Sequence, residues 1–192
     1  MSTQESQSGL QVNFTPFPVL RTGRLVLRRI ESGDAEDILF FRSDPVTMQY
    51  LDRDPIRTLG EASFFIRMII DSLERNEGIT WGISLTDDPR LIGTIGFWRL
   101  MKEHYRAEIG YLLHPNYWGR GLVSEAITAV MNYGFDVMKL HSVEANVNPG
   151  NKASVRVLER AGFVQEAHFR ENYYFNGRFL DTLIFSKLAP SA

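Results

Sequence analysis

The sequence predicts a mixed αβ fold of the α+β class, built on a mostly antiparallel sheet. Short loops at Asp87-Asp88-Pro89 and Lys102-Glu103-His104 separate three extended runs, and short loops favour antiparallel neighbours. Asn176-Gly177 between two further extended runs is the strongest short signal for a β-hairpin. A long amphipathic helix between two strands predicts one parallel crossover, so we expect the sheet to be mixed.

The first half of the chain combines strand and helix patterns. Residues 24–29 alternate as a strand does, and Ser32 or Asp34 caps a helix that Pro45 ends. Residues 58–75 carry an apolar stripe at helical spacing and predict a second helix. Three strands are then expected over residues 79–86, 91–100 and 105–113.

The second half begins with the strongest helix pattern, over residues 121–138. A short strand follows at 142–147, and a short helix at 151–161 ends before Gly162, which occupies the place of a C-terminal cap glycine. Residues 163–175 and 179–188 complete the predicted hairpin.

Length and composition limit the possible functions. The 192 residues suit a single domain, predicted over residues 20–189, after a flexible N-terminal tail at 1–19. The 21 basic and 23 acidic residues give a net charge of −2, which excludes nucleic-acid binding by bulk charge and leaves only a local basic patch as an alternative. The absence of cysteine excludes thiolate metal sites and a cysteine nucleophile, and the four histidines have no metal-ligand spacing. With no apolar run of membrane-spanning length and no signal-peptide pattern, we expect a cytoplasmic protein without a membrane partner.

Residues 114–125 join a predicted strand to the longest predicted helix. Gly119 and Gly121 let the backbone come close to a ligand. The helix N-terminus presents unpaired N–H groups and a partial positive charge, which suit a phosphate or pyrophosphate, and Arg120 adds a full charge. Taken alone, the same pattern also fits a tight turn with no ligand. It is neither a Walker loop nor a dinucleotide-binding fingerprint.

Short motifs follow one another in a distinctive order between Leu20 and Leu188. They are Arg24-Leu25-Val26-Leu27-Arg28, Ile92-Gly93 with Gly96, Ala107-Glu108-Ile109-Gly110-Tyr111, Tyr117-Trp118-Gly119-Arg120-Gly121 with Ser124-Glu125-Ala126, Asn151-Lys152-Ala153-Ser154 with Gly162-Phe163, and Asn176-Gly177 with Asp181. In this order and spacing they resemble the GNAT N-acetyltransferase superfamily. Within it, they resemble the RimJ/RimL-like group, which is named for ribosomal-protein N-terminal acetyltransferases.

The resemblance implies the acyl-CoA N-acyltransferase fold and acetyl-CoA as co-substrate, with no metal. That fold has a central, twisted, mostly antiparallel sheet with helices on both faces and a splayed parallel pair at the CoA site. In the superfamily loop Gln/Arg-x-x-Gly-x-Gly/Ala, Trp118 takes the first position, Gly121 the glycine and Val123 the last. The implied CoA-binding residues are Leu112, Leu113, Trp118, Gly119, Arg120, Gly121, Leu122, Val123, Ser124, Asn151 and Ser154.

The implied reaction is direct attack of an amine on the thioester in a ternary complex, so an acid and a base are expected. The superfamily's usual tyrosine acid is replaced by Leu158, and the RimL-like pattern places Ser154 near the thiol instead. Ser154 either hydrogen-bonds the thiolate or donates a proton to it; the alternative is a serine that bonds back within its own helix. Asn151 contacts CoA, caps the helix, or does both.

Three carboxylates compete for the role of base. Glu108 ranks first because Gly110 leaves its strand face open, Glu144 ranks second, and Glu171 near the hairpin ranks third. For each, the alternative is a solvated or ion-paired carboxylate. A base acting through water, or no base, is also compatible with the sequence.

The expected acceptor is a primary amine, with a protein N-terminus as first choice. An α-amine has a pKa of about 7.7–8.0 and lysine about 10.4, so roughly one α-amine in ten is neutral at pH 7 against one lysine in a few thousand. Small amines, antibiotics and other peptides are the alternative acceptors. A non-catalytic acyl-CoA-binding module is the rival function, and we expect a monomer or homodimer.

Overall fold

The computed structural model describes residues 10–190. Its strands are β1 (Leu20–Arg21), β2 (Leu25–Arg29), β3 (Ile79–Leu85), β4 (Gly93–Met101), β5 (Arg106–Leu113), β6 (Ser142–Val147), β7 (Val164–Phe175) and β8 (Arg178–Leu188). Its α-helices are α1 (Ala35–Ser43), α2 (Pro45–Met48), α3 (Leu59–Glu74), α4 (Leu122–Asn132) and α5 (Lys152–Arg160). A π-helical turn, Tyr133–Val137, continues α4.

All the strands form one eight-stranded sheet in the order β1-β2-β3-β4-β5-β6-β8-β7. Every neighbouring pair is antiparallel except β5 and β6, which are parallel, so the predicted mixed fold is confirmed. The parallel pairing runs only from Arg106–Ser142 to Glu108–Glu144. Beyond Glu108, β5 continues to Leu113 without a β6 partner, and the two strands splay apart.

Apolar side chains fill both faces of the sheet. One core includes Trp81 and Phe97 and lies under α4 and α5. The other includes Ile38 and Ile66 and lies under α1 and α3, which confirms helices on both faces. Successive residues of β5 alternate between the two cores because side chains alternate across a strand.

Two segments differ from the predicted elements. Pro45 ends α1 as expected, but it also starts α2, where a missing N–H at the first helical position costs nothing. The Asp44 side chain accepts a hydrogen bond from the Thr47 N–H at 2.6 Å and caps this short helix. The predicted 121–138 helix is α-helical only to Asn132, and the wider π turn places Gly134 against Phe97.

Residues 10–19 correct the prediction of a flexible tail at 1–19. Leu10 and Phe14 are only 3% and 2% exposed, so this stretch is packed against the core. The Pro18 carbonyl accepts a hydrogen bond from Trp81 Nε1 at 2.7 Å. Leu10 and Phe14, two apolar residues of this segment, hold it against the core. Residues 1–9 of the predicted tail lie outside the described residues.

Between residues 10 and 190, no helix is both long and apolar enough to cross a membrane. The same part of the chain holds no group of three or more His, Cys, Asp or Glu residues arranged to bind a metal ion.

Candidate active site

The loop before α4 carries a row of free backbone donors. Gly119 and Gly121 have φ of 73° and 74°, in the left-handed region that favours glycine. Gly121 caps α4 without a side-chain hydrogen bond. Within residues 10–190, the backbone N–H groups of residues 119–124 donate no hydrogen bond. They stand at the positive end of the helix dipole, where an anion is favoured.

The guanidinium of Arg24, the residue just before β2, braces this loop. Its Nη1 donates to the Arg120 carbonyl at 2.8 Å, and its Nη2 lies 2.6 Å from Glu125 Oε2. Burial of Glu125 favours the neutral carboxyl, but hydrogen bonds from Thr22 and Arg24 outweigh it and hold the pKa of Glu125 below its usual value. Glu125 therefore stays charged and ties the start of α4 to the β1–β2 turn.

The C-terminal half of β5 offers an open strand edge. His114 N–H donates to the Ile92 carbonyl beside β4, whereas the Leu113 carbonyl accepts from Trp118 Nε1 at 2.6 Å. Because backbone groups alternate sides along a strand, those of Tyr111 and Leu113 point away from β4, toward the gap left by β6. The Leu113 N–H and the Tyr111 backbone are thus available to an extended ligand. Trp118, which is expected in the CoA-binding loop, thus also hydrogen-bonds to the last residue of β5.

Tyr111 is a candidate that the sequence pattern does not single out. It follows Gly110 on β5 and packs against the core beneath α4 and α5. Its hydroxyl is buried and has no hydrogen-bond partner among the described residues. Burial raises the pKa of Tyr111 to about 12, and an interaction with Ser154 opposes that rise. The one feature of the sequence that could have identified this residue is its hydroxyl-bearing aromatic side chain on the strand that begins the predicted crossover.

Ser154 lies on the first turn of α5, beside Tyr111. The Asn151 side chain accepts a hydrogen bond from the Ser154 N–H at 3.1 Å, which confirms its role as the helix cap. Among the hydrogen bonds of residues 10–190, none joins the Ser154 hydroxyl back to its own helix. Leu158, at the place of the usual tyrosine, is fully buried in the core.

Glu108 lies on the opposite face of β5 and is 5% exposed. Burial raises the pKa of its carboxyl, while hydrogen bonding to Asn146 and the charge of Arg99 oppose the shift. The Arg99 Nη1 atom is 3.5 Å from Glu108 Oε2, and that oxygen has no hydrogen-bond partner in the described chain. A buried carboxylate with an unsatisfied oxygen is well suited to accept a proton.

Glu144 stands opposite Glu108 across the β5–β6 pair. Its Oε2 accepts from Arg106 Nη2 at 2.8 Å, and its Oε1 accepts from Asn146 Nδ2 at 3.1 Å. Both oxygens are therefore engaged, as expected for a structurally paired carboxylate. The two highest-ranked acids come together, but only Glu108 keeps a free oxygen.

Glu171 bonds to a different set of residues from Glu108 and Glu144. It has φ of 48° within an irregular stretch of β7 between Phe169 and Tyr173. Its N–H donates to Asp181 Oδ1 at 2.9 Å, and its side chain is exposed. Within residues 10–190, no side-chain hydrogen bond or ion pair joins it to Glu108 or Glu144.

A cleft of about 310 Å³ opens between α3 and the β4–β5 strands. Its lining includes Arg42, Arg53, Phe65, Met68, Trp98 and Leu112. The predicted open face at Gly110 forms part of this lining, but Trp98 covers it, since a Cβ on Gly110 would lie 3.5 Å from the indole. The cleft thus approaches the splay from the face that carries Glu108.

The amino-acid sequence that forms this loop and these strands matches a known family. The sequence model described as the acetyltransferase (GNAT) domain matches residues 24–164. The chain belongs to this family. An uncharacterized N-acetyltransferase of Bacillus subtilis, YoaA, is 40% identical over 175 residues, which cover 91% of this chain and 98% of the relative.

Two further comparisons extend the relationship. The spermidine N(1)-acetyltransferase of Vibrio cholerae is 27% identical, over 82% of this chain and 89% of the relative. A GNAT-family acetyltransferase of Bacillus anthracis superposes with a TM-score of 0.80 at 28% identity, covering 90% of this chain and 99% of that structure. The protein is an N-acetyltransferase of the GNAT family.

Proposed function

We propose that the protein transfers the acetyl group of acetyl-CoA to the α-amine of a protein or peptide N-terminus. The observation that supports acetyl-CoA as co-substrate is the row of free N–H groups at residues 119–124 beside the open edge of β5. The pyrophosphate binds to these N–H groups, with Arg120 adding charge. The pantetheine arm pairs with the backbone of Tyr111 and Leu113.

The chemistry takes place in the gap between β5 and β6. The acceptor nitrogen attacks the thioester carbonyl carbon, a C–N bond forms, and the C–S bond breaks. The amine proton passes to Glu108, because burial raises the pKa of its carboxyl and makes the carboxylate a stronger base than an exposed glutamate. The Leu113 N–H is positioned to stabilise the charge that develops on the carbonyl oxygen.

The groups that act on the leaving thiolate lie on the face of β5 opposite Glu108. Because its pKa is about 12, Tyr111 keeps its proton throughout the neutral range and remains a hydrogen-bond donor. Ser154 lies beside it, and the pair supplies the proton or hydrogen bond that the CoA thiolate requires. Ser154 thus keeps the role that the family resemblance implies, with Tyr111 as a second donor.

An acceptor panel tests this function. We expect N-terminal peptides to be acetylated on the α-amine, with free CoA released in equal amount and the modified nitrogen located by mass spectrometry. Spermidine, which the Vibrio cholerae relative's name indicates, and an aminoglycoside represent small amines. If only small amines react, the N-terminal assignment is wrong. If no amine reacts although acetyl-CoA binds, the protein acts as a binding module.

A further inference from the structure

Arg42 is a buried cation that no carboxylate neutralises. It lies in the last turn of α1, is 7% exposed, and makes no ion pair or side-chain hydrogen bond with any described residue. Its Nε atom is both buried and unsatisfied. Stacking on Phe65, at 4.2 Å from the ring centroid, is its visible compensation. Burying a guanidinium without a hydrogen-bond acceptor lowers the stability of the fold unless a ligand supplies that acceptor.

Arg42 and Arg53 both line the cleft, which also reaches Gly110 and Leu112 on the face of β5 that carries Glu108. Arg53 is exposed and makes no ion pair within residues 10–190, although its charge reaches the neighbouring Asp52. The lining includes these two arginines and no Asp or Glu. The charge of Arg53 also reaches Glu108, so the arginines and the proposed base belong to one electrostatic environment. The cleft is therefore cationic where the acceptor enters.

We propose that Arg42 and Arg53 select acceptors that carry a carboxylate close to the reacting amine, namely peptides with an acidic side chain in their first residues. This inference rests on the proposed function. The guanidinium fork binds a carboxylate through paired hydrogen bonds, and Arg42 is already desolvated and held by Phe65. The amine reaches Glu108 while the acidic side chain remains at the arginines. A polyamine, by contrast, brings additional positive charge into a cleft that already holds two cations.

The test compares short peptides that differ only by Glu, Gln or Lys at the second or third position. For the wild type we expect kcat/KM for the Glu peptide to exceed that for the Lys peptide by about 10-fold or more. Arg42→Gln and Arg53→Gln should each reduce this preference several-fold, mainly through KM. The exposed Arg75, which pairs with Glu77 outside the cleft, provides the control Arg75→Gln, in which the preference should persist. Since Arg53 is exposed, its variant keeps the test valid if Arg42→Gln fails to fold.

A binding measurement separates this inference from the proposed function. The N-acetylated Glu and Lys peptides are titrated by calorimetry into the protein with CoA present. Tighter binding of the Glu peptide that depends on Arg53 supports the charge selection even if no transfer is detected, in which case the function alone fails. Equal transfer to the Glu, Gln and Lys peptides overturns the inference and leaves the function intact. Preference for spermidine overturns both, and preference for free glutamate over any peptide overturns the peptide acceptor.

Discussion

At the level of single residues, Glu108, the proposed base, carries a cost to folding. Burial raises the pKa of its carboxyl, so the folded state favours the neutral form. The unfolded chain therefore releases the proton at lower pH than the folded chain does. The ionised group consequently destabilises the fold at neutral pH, and the penalty disappears below the ordinary pKa of a glutamate.

We therefore expect Glu108→Gln to lower kcat by about 10²–10⁴-fold while raising the melting temperature at pH 7. The gain in melting temperature should shrink as the pH falls to about 4 and vanish below it, where the unfolded glutamate, with an ordinary pKa of about 4.3, also holds the proton. Unfolding curves at both pH values, measured with the initial rates, check this pair of effects. Glu144→Gln is the matched control because that carboxylate is bonded to Arg106 and Asn146, and its removal should lower stability instead. An unchanged kcat in Glu108→Gln would contradict its role as base.

Ser154 gives a second prediction for a single residue. Ser154→Ala keeps the backbone N–H that Asn151 caps, so α5 should be unaffected. The hydroxyl is proposed to act on the leaving thiolate, so kcat should fall about 10-fold or more while the affinity for acetyl-CoA changes little. Steady-state kinetics and a separate binding titration check this division. Thr128→Ala, whose hydroxyl bonds back to Ser124 on α4, is a control expected to leave kcat unchanged. Equal turnover in Ser154→Ala would remove that residue from the mechanism.

At the level of elements, the loop before α4 depends on an ion pair that the sequence motifs contain but do not explain. Glu125 anchors Arg24, and Arg24 holds the Arg120 carbonyl. We expect Glu125→Gln to weaken acetyl-CoA binding several-fold without removing any group proposed to touch the ligand. The depressed pKa of Glu125 means that its contribution to stability is present above the ordinary pKa of a glutamate and is lost as the pH falls through the folded value. Binding titrations of the wild type and Glu125→Gln at pH 7, where Glu125 is ionised, check the effect, and equal affinities would contradict the bracing role.

The elements also show what local patterns can predict. Strand β6 matches its predicted range, and the glycines before α4 mark the loop because their positive φ excludes most other residues. The sequence pattern over 121–138 does not distinguish the π turn at Tyr133–Val137 from a continued α-helix, and the packing of Gly134 against Phe97 joins residues distant in sequence. Helix α2 is not predicted either, because its first residue, Pro45, is also the residue type that ends helices.

At the level of the whole molecule, the site is assembled from both faces of the sheet. Leu113 and Glu108 could be proposed from the strand pattern and the family resemblance. Tyr111 and Arg42 could not, because their importance lies in burial without a partner, and burial depends on the packing of distant elements. The unsatisfied Oε2 of Glu108 likewise distinguishes this residue from the fully bonded Glu144 only once β5 and β6 are placed side by side.

Residues 119–124 and the open edge of β5 are proposed to bind acetyl-CoA. A thermal-shift titration of the wild type, Gly121→Glu and Gly177→Glu tests this binding site. Both glycines have positive φ, 74° and 79°, so both variants carry similar backbone strain, but Gly177 lies in the β7–β8 hairpin turn. A ligand at 100 times its dissociation constant adds about 2.7 kcal/mol, which corresponds to a rise of roughly 5–10 °C for a protein of this size.

We expect this rise in the wild type and in Gly177→Glu. It should be absent in Gly121→Glu, where a carboxylate enters the proposed phosphate site. An equal rise in all three proteins would contradict the assignment of the loop. No rise in the wild type at millimolar acetyl-CoA would contradict the account as a whole.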